Sequence, residues 1–234
     1  MLVSVVIPAI NEGKYIRRCL EALEQQEHRE FSLETIVVDG GSTDATREIA
    51  RSFGALVLTQ SRRGIALARQ MGFEAAAGEI IASTDADSEP PRDWLRRLVG
   101  ALLANPKAVG VYGPIRLYDG KKHEDLLSHY VAGSYLFLNS IIGRPAFSGQ
   151  NFAVWRSAWA RVGGFDLDWV SAEDVNLSLK LERIGQVRFC WDIQVATSAR
   201  RVREGYVPVL HHTLANYMRV AWLNKPPLPF ADVR

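Results

Sequence analysis

The scarcities in this chain exclude more than its abundances do. Two cysteines, Cys19 and Cys190, occur in 234 residues. That is too few for a disulfide framework. One falls on the apolar stripe of a predicted helix and the other in a predicted strand, so both are expected as buried thiols in a reducing cytoplasm. The net charge is only +2, which supplies no electrostatic footprint for nucleic acid. Long hydrophobic runs are missing. The longest, residues 131–142, is broken by Gly133, Ser134, Asn139 and Ser140 and is too short to span a bilayer. The opening residues are apolar but lack a basic leader and stop at Pro8, so no signal peptide is expected. No repeat or low-complexity linker divides the chain. No G-x-G-x-x-G follows the first strand pattern, and no G-x-x-x-x-G-K-[ST] occurs anywhere. A dinucleotide or P-loop cradle is therefore not expected.

What is present is a regular alternation. Strand patterns cover 2–7, 33–38, 55–59, 79–83 and 109–111. Helical patterns cover 12–26, 43–53, 64–77 and 91–103. Repeated βαβ units predict an α/β fold with a mostly parallel sheet and helices on both faces. After Gly113 the pattern changes. A helix over 125–142, a strand over 147–155, a helix over 173–184 and strands over 187–191 and 194–197 are expected. A single domain over 1–234 follows, with a first half over 1–113, a second over 114–205, and a terminal helix and tail over 206–234. In that last helix Leu210, Leu214, Tyr217, Met218, Ala221 and Trp222 share one stripe. Two readings stay open for it: packing on the body, or peripheral contact with the cytoplasmic face of a membrane.

Two acidic motifs carry the chemistry. Thr84-Asp85-Ala86-Asp87-Ser88 follows the apolar run Glu79-Ile80-Ile81-Ala82. Carboxylates at that spacing suit Mg²⁺ or Mn²⁺, with substrate phosphates completing the coordination. Glu173-Asp174 opens a helix far downstream, where a carboxylate can serve as general base or merely complement the helix dipole. In an open α/β sheet, ligands bind beyond the carboxyl ends of the strands. Three segments converge there: Pro8-Ala9-Ile10-Asn11-Glu12, Asp39-Gly40-Gly41-Ser42-Thr43-Asp44, and Asp85-Ala86-Asp87. Pro8, lacking an N–H, is expected to turn the chain outward. Asp39 is placed for a base or ribose. Arginines, Arg69 among them, are expected to meet phosphate charge.

These segments resemble family 2 glycosyltransferases of the GT-A type. The resemblance continues through Ser148-Gly149-Gln150-Asn151, Gly163-Gly164-Phe165-Asp166 and Glu173-Asp174-Val175-Asn176-Leu177. It implies a GT-A-type, Rossmann-like fold with a C-terminal amphipathic helix. It further implies transfer of a sugar, with inversion, from a UDP- or GDP-linked donor to a hydroxyl or phosphate acceptor, free or lipid-linked. Carried over, Pro8, Ala9, Glu12, Asp39 and Arg69 would contact the nucleotide. Asp85 would touch ribose or metal, and Asp87 would hold Mn²⁺ or Mg²⁺. Asp174 would be the base and Glu173 its fallback. Gly149, Gln150 and Asn151 would lie near the donor sugar. Arg200 or Arg203 would bind the diphosphate or an acceptor phosphate. No Trp follows the arginines of Ser198-Ala199-Arg200-Arg201-Val202-Arg203, a departure from processive synthases. Two alternatives remain: a nucleotidyltransferase that makes the nucleotide sugar, and a non-catalytic module that binds it. Asn11-Glu12-Gly13-Lys14 is a poor substitute for the Gly-rich basic loop of the first. No acid is lost as the second would require.

Overall fold

The computed structural model describes residues 1–200, 206–223 and 225–228. Its centre is a seven-stranded sheet in the order β3-β2-β1-β4-β8-β6-β9. The strands are β1 (Leu2–Ala9), β2 (Ser32–Asp39), β3 (Leu56–Thr59), β4 (Ile80–Ser83), β6 (Ala108–Tyr112), β8 (Phe152–Trp155) and β9 (Gln186–Phe189). Only β8 runs antiparallel to its neighbours β4 and β6. The second half of the chain therefore completes the sheet begun by the first. β1 is a run of buried residues from Val3 to Ala9, as a strand covered on both faces requires.

The pleat sends alternate β1 residues to opposite faces. Val3, Val5 and Ile7 join a core with Ile16, Cys19, Leu20 and Leu23 of α1 (Ile16–Glu24) and Trp94, Leu95 and Leu98 of α4 (Trp94–Leu103). Val6 belongs to the other core. There α3 (Ile65–Ala75) contributes Ala68 and Phe73, α7 (Arg156–Arg161) contributes Trp159, and α8 (Glu173–Glu182) contributes Leu177 and Leu181. α3 lies close on the sheet because Gly72 has no side chain; a Cβ there would strike Val6. Helix α2 (Thr46–Ser52) completes the first half.

Three expectations are corrected. Pro8 does not end β1: it pairs with Val38, and the chain continues to Ala9. On its other side β4 reaches only as far as Val6, so the missing N–H deprives no ladder partner. The expected helix over 125–142 is instead α5 (Lys122–Leu126), a π-helical turn (Leu127–Ala132) and α6 (Gly133–Ile141). Residues 147–151 are loop, and only 152–155 form a strand. A small second sheet joins β5 (Ser88–Glu89), β10 (Val195–Thr197) and β7 (Ile115–Leu117), in the order β5-β10-β7; only β10 falls within an expected strand, 194–197, and β5 and β7 are too short to leave a periodic signal.

The last helix, α9 (Tyr206–Ala221), packs on the body. Tyr217, Val220 and Ala221 are buried with Ala146 and Val175. The Tyr217 hydroxyl contacts Asn139 Oδ1 at 2.5 Å. The stripe read as a membrane face is thus split: Tyr217 and Ala221 point inward, whereas Met218 and Trp222 are exposed. Among the described residues no helix is long and apolar enough to cross a membrane.

Candidate active site

The site lies at the carboxyl edge of the sheet. β1 delivers Glu12 just beyond its end, β2 delivers Asp39, and β4 runs directly into Asp85 and Asp87. The segment before antiparallel β8 enters from the same edge, since Phe152 pairs with Ser83. Glu173 and Asp174 open α8. The residue preceding them, Ala172, has a left-handed backbone (φ 51°), which costs a non-glycine residue on the order of 1–2 kcal/mol.

Arg69 ties the two acidic motifs together. Reaching from α3, it is 3% exposed. Its Nη2 lies 2.9 Å from Asp85 Oδ1, its Nη1 pairs with Glu173, and its Nε donates to Ser83 Oγ at 3.3 Å. Burial works against its charge, but Glu173, Asp85 and Asp174 outweigh it and hold the guanidinium protonated. Arg69, expected at the nucleotide, stands here in a buried bridge between Asp85 and Glu173. Glu173, 3% exposed and paired with Arg69, is bound up in that bridge and is a poor fallback base.

Asp174 differs from its neighbour. Burial, then the adjacent Glu173 charge, push its carboxyl up to about 7. Arg69 and the backbone N–H groups of Val175 and Gly149 pull the other way. A carboxyl poised there can exchange a proton near neutral pH.

Gly149 is needed for the bridge, because a Cβ on it would collide with the Arg69 guanidinium. Its carbonyl also accepts from Ser83 Oγ at 3.0 Å. Gly149→Ala is expected to cost ~1–3 kcal/mol by overpacking, read as a lower urea midpoint; a wild-type midpoint would contradict the packing. Gln150 is half-buried beside Ser148, whose Oγ contacts its Oε1 at 2.7 Å. Asn151, expected at the donor sugar, has its amide occupied elsewhere. It is fully buried, accepts from Trp94 Nε1 at 2.9 Å, and donates to the Pro114 and Ile193 carbonyls at 3.0 and 2.7 Å. It braces the sheet.

A second arginine closes the other side. Arg200 donates to both Glu12 oxygens at 2.8 and 2.7 Å. Its Nε lies 2.8 Å from Asp87 Oδ2, and its guanidinium sits 5.0 Å from the Tyr15 ring centroid. The small sheet positions it. Ser198 N donates to the Asp87 carbonyl at 3.1 Å, and Thr197 Oγ1 lies 3.4 Å from Asp87 Oδ1. Burial opposes the charge on Arg200, yet Glu12 and Asp87 raise its pKa. Arg200 thus meets carboxylates here, where a phosphate was expected. Arg203 lies outside the described residues. Asp39 is fully buried and accepts from Gly41 N and Ser42 N at 3.1 Å each. Tyr15, Ser83 and Thr197 were not legible as site residues, since their partners come from elements remote in sequence.

Among the described residues no three His, Cys, Asp or Glu side chains gather into a protein-only metal site. The donor set fits Mg²⁺ or Mn²⁺ nonetheless. Such ions use one or two carboxylates with substrate phosphates and water, and Asp87 and Asp85 are hard oxygen donors at one strand end.

The model of glycosyl transferase family 2 matches residues 4–165. The chain belongs to glycosyl transferase family 2. It is 31% identical over 205 residues to the probable glycosyltransferase YdaM of Bacillus subtilis, covering 80% of this chain and 48% of that protein. The family 2 chain thus spans about half the length of that relative. Among solved structures, the mannosyltransferase PcManGT from Pyrobaculum calidifontis, in complex with GDP-Man and Mn²⁺, matches with TM-score 0.75 and 26% identity over 97% of this chain and 65% of that one. S. aureus TarS 1–349, in complex with UDP-GlcNAc, matches at TM-score 0.71 and 21% identity over 96% and 67%; this likeness concerns the fold. The architecture is the GT-A fold.

Proposed function

We propose that this family 2 chain is an inverting glycosyltransferase. Its donor is a UDP- or GDP-linked sugar, and its acceptor is a hydroxyl or phosphate, carried on a sugar or a lipid. The observation that carries this reading is the pairing of two carboxylate motifs at one sheet edge, with Asp174 held near neutral pKa beside the Arg69 bridge.

Asp174 takes the proton of an acceptor hydroxyl as the acceptor oxygen attacks the anomeric carbon. The bond from that carbon to the diphosphate oxygen breaks, and the electron pair leaves with the nucleoside diphosphate. One displacement inverts the configuration. Arg200 lies against Glu12 and Asp87 and is within reach of the departing charge once a donor separates it from them. Arg69 fixes Asp85 relative to α8 and so fixes the base relative to the donor. A divalent ion held by Asp87, with Asp85 beside it, would supply charge neutralisation at the leaving diphosphate. The two related complexes with GDP-Man and with UDP-GlcNAc support a nucleoside diphosphate sugar as donor class.

Thermal unfolding with UDP or GDP, each with and without Mn²⁺, tests the reading. One nucleotide with Mn²⁺ is expected to stabilise the chain by about 2.7 kcal/mol at a hundredfold excess over its dissociation constant. No shift with either nucleotide, metal present, overturns it.

A further inference from the structure

One surface feature lies outside the transfer chemistry. The helical segment from α5 through the π turn to α6 carries a row of apolar side chains outward. Its outward positions recur at helical spacing: Leu127, Val131, Leu138, Ile141 and Ile142, with Tyr130 beside them. Leu138 is 60% exposed, Ile141 64% and Ile142 57%. Its inward face holds Ser128, Gly133 and Asn139, all buried. Leu136 and Tyr135 still pack inward, so the outward apolar residues are in excess of what the body buries.

The exposed end of α9 continues this face. Arg144, just after α6, stacks 4.6 Å from the Trp222 ring centroid and donates to the Ala221 carbonyl. Trp222 is 50% exposed, and Met218 one turn before it is also exposed. The two helix ends therefore present one continuous apolar patch, larger than scattered surface hydrophobics account for.

Charge identifies the occupant. Residues 126–165 and 205–231, which supply the whole patch, contain no Asp or Glu. They do contain Arg144, Arg219 and Lys225. Glu124 and Asp125, at the start of the segment, are engaged by the Lys121 backbone N–H and by Arg116, and the cations beside the exposed Trp and Tyr rings suit an anionic lipid headgroup layer. A second copy of this chain would bring the same cations against these. No described helix is long enough to cross a bilayer, so the segment lies along the surface.

We infer that the outer face of the α5–α6 segment, joined by Trp222, is a docking surface for an anionic lipid bilayer. Of the α9 stripe only the outward Met218 and Trp222 join this face, since Tyr217 and Ala221 are buried in the body. It does not depend on the proposed chemistry.

The test is co-flotation of the full chain with vesicles of phosphatidylcholine alone, or of phosphatidylcholine with phosphatidylglycerol. The chain should float with the anionic vesicles and much less with the neutral ones. The variant Leu138→Ser/Ile141→Ser/Ile142→Ser alters only exposed side chains and should bind roughly tenfold or more weakly, with an unchanged circular dichroism spectrum and nucleotide-induced thermal shift. Absence of flotation, or equal flotation of the variant, overturns the inference. So does a concentration-dependent dimer in sedimentation that the variant abolishes while vesicle binding is nil; that result assigns the face to a second copy. Loss of the nucleotide shift in the wild type, with flotation intact, bears only on the transfer reading.

Discussion

Asp174→Asn is expected to lower kcat by ~10²–10⁴-fold, the usual contribution of a general base, while nucleotide affinity stays near wild type. The substitution keeps the shape of the side chain and removes its proton-accepting charge. Wild-type turnover should rise with pH through about 7, where Asp174 loses its proton, and the residual activity of the variant should lack that limb. Stability moves the other way. The folded-state pKa of Asp174 lies above its ordinary value of 3.8, so the folded chain holds the proton more tightly than the unfolded one. The stability contributed by the neutral form is complete below about pH 4 and is lost as pH rises through about 7. At pH 8 Asp174→Asn should therefore unfold at a higher temperature than wild type while turning over far more slowly. A kcat within a few-fold of wild type would remove Asp174 from the role of base.

The second large effect is expected at Asp87. Asp87→Asn should abolish the Mn²⁺-dependent part of nucleotide stabilisation, about 2.7 kcal/mol under the saturating conditions above, and turnover should fall with it. The nucleotide-free variant should change little in stability, because Arg200 keeps both oxygens of Glu12 and so is not left as an unpaired charge. The two readings of Asp87 separate here. A purely structural partner of Arg200 would show its effect without nucleotide and keep the Mn²⁺ response. Calorimetric titration of Mn²⁺ in the presence of UDP or GDP distinguishes them, and an unaltered metal response in the variant would count against Asp87 as the metal anchor.

The two arginines explain how so many carboxylates share one cleft. Glu12, Asp85, Asp87 and Glu173 each meet a guanidinium within the chain. Removing one side of the Arg69–Glu173 pair, which is buried on both sides, leaves an uncompensated charge, a change that typically costs ~3–5 kcal/mol. Of the adjacent acids Glu173 and Asp174, only Glu173 pairs directly with Arg69; burial and the Glu173 charge hold the Asp174 carboxyl above its ordinary range.

The sequence by itself determined the layered architecture. A run such as Val3–Ile7 flanked by amphipathic helices has few ways to bury its apolar surface, and a parallel sheet covered on both faces is the favoured one. It also determined where the acids stand, because Asp39 and Asp85 follow directly on buried strands and the local pattern needs no tertiary information. Tertiary structure alone decided which charge meets which. Arg69 and Glu173 are 104 residues apart, and Arg200 and Glu12 are 188 apart. Periodicity places each helix and strand but carries no information on which remote element packs beside it, so these pairings are set by tertiary packing alone. The same holds for the outer helices. Periodicity marks an apolar stripe but not the direction it faces, so only packing could turn Tyr217 inward and leave Leu138 and Ile141 outward.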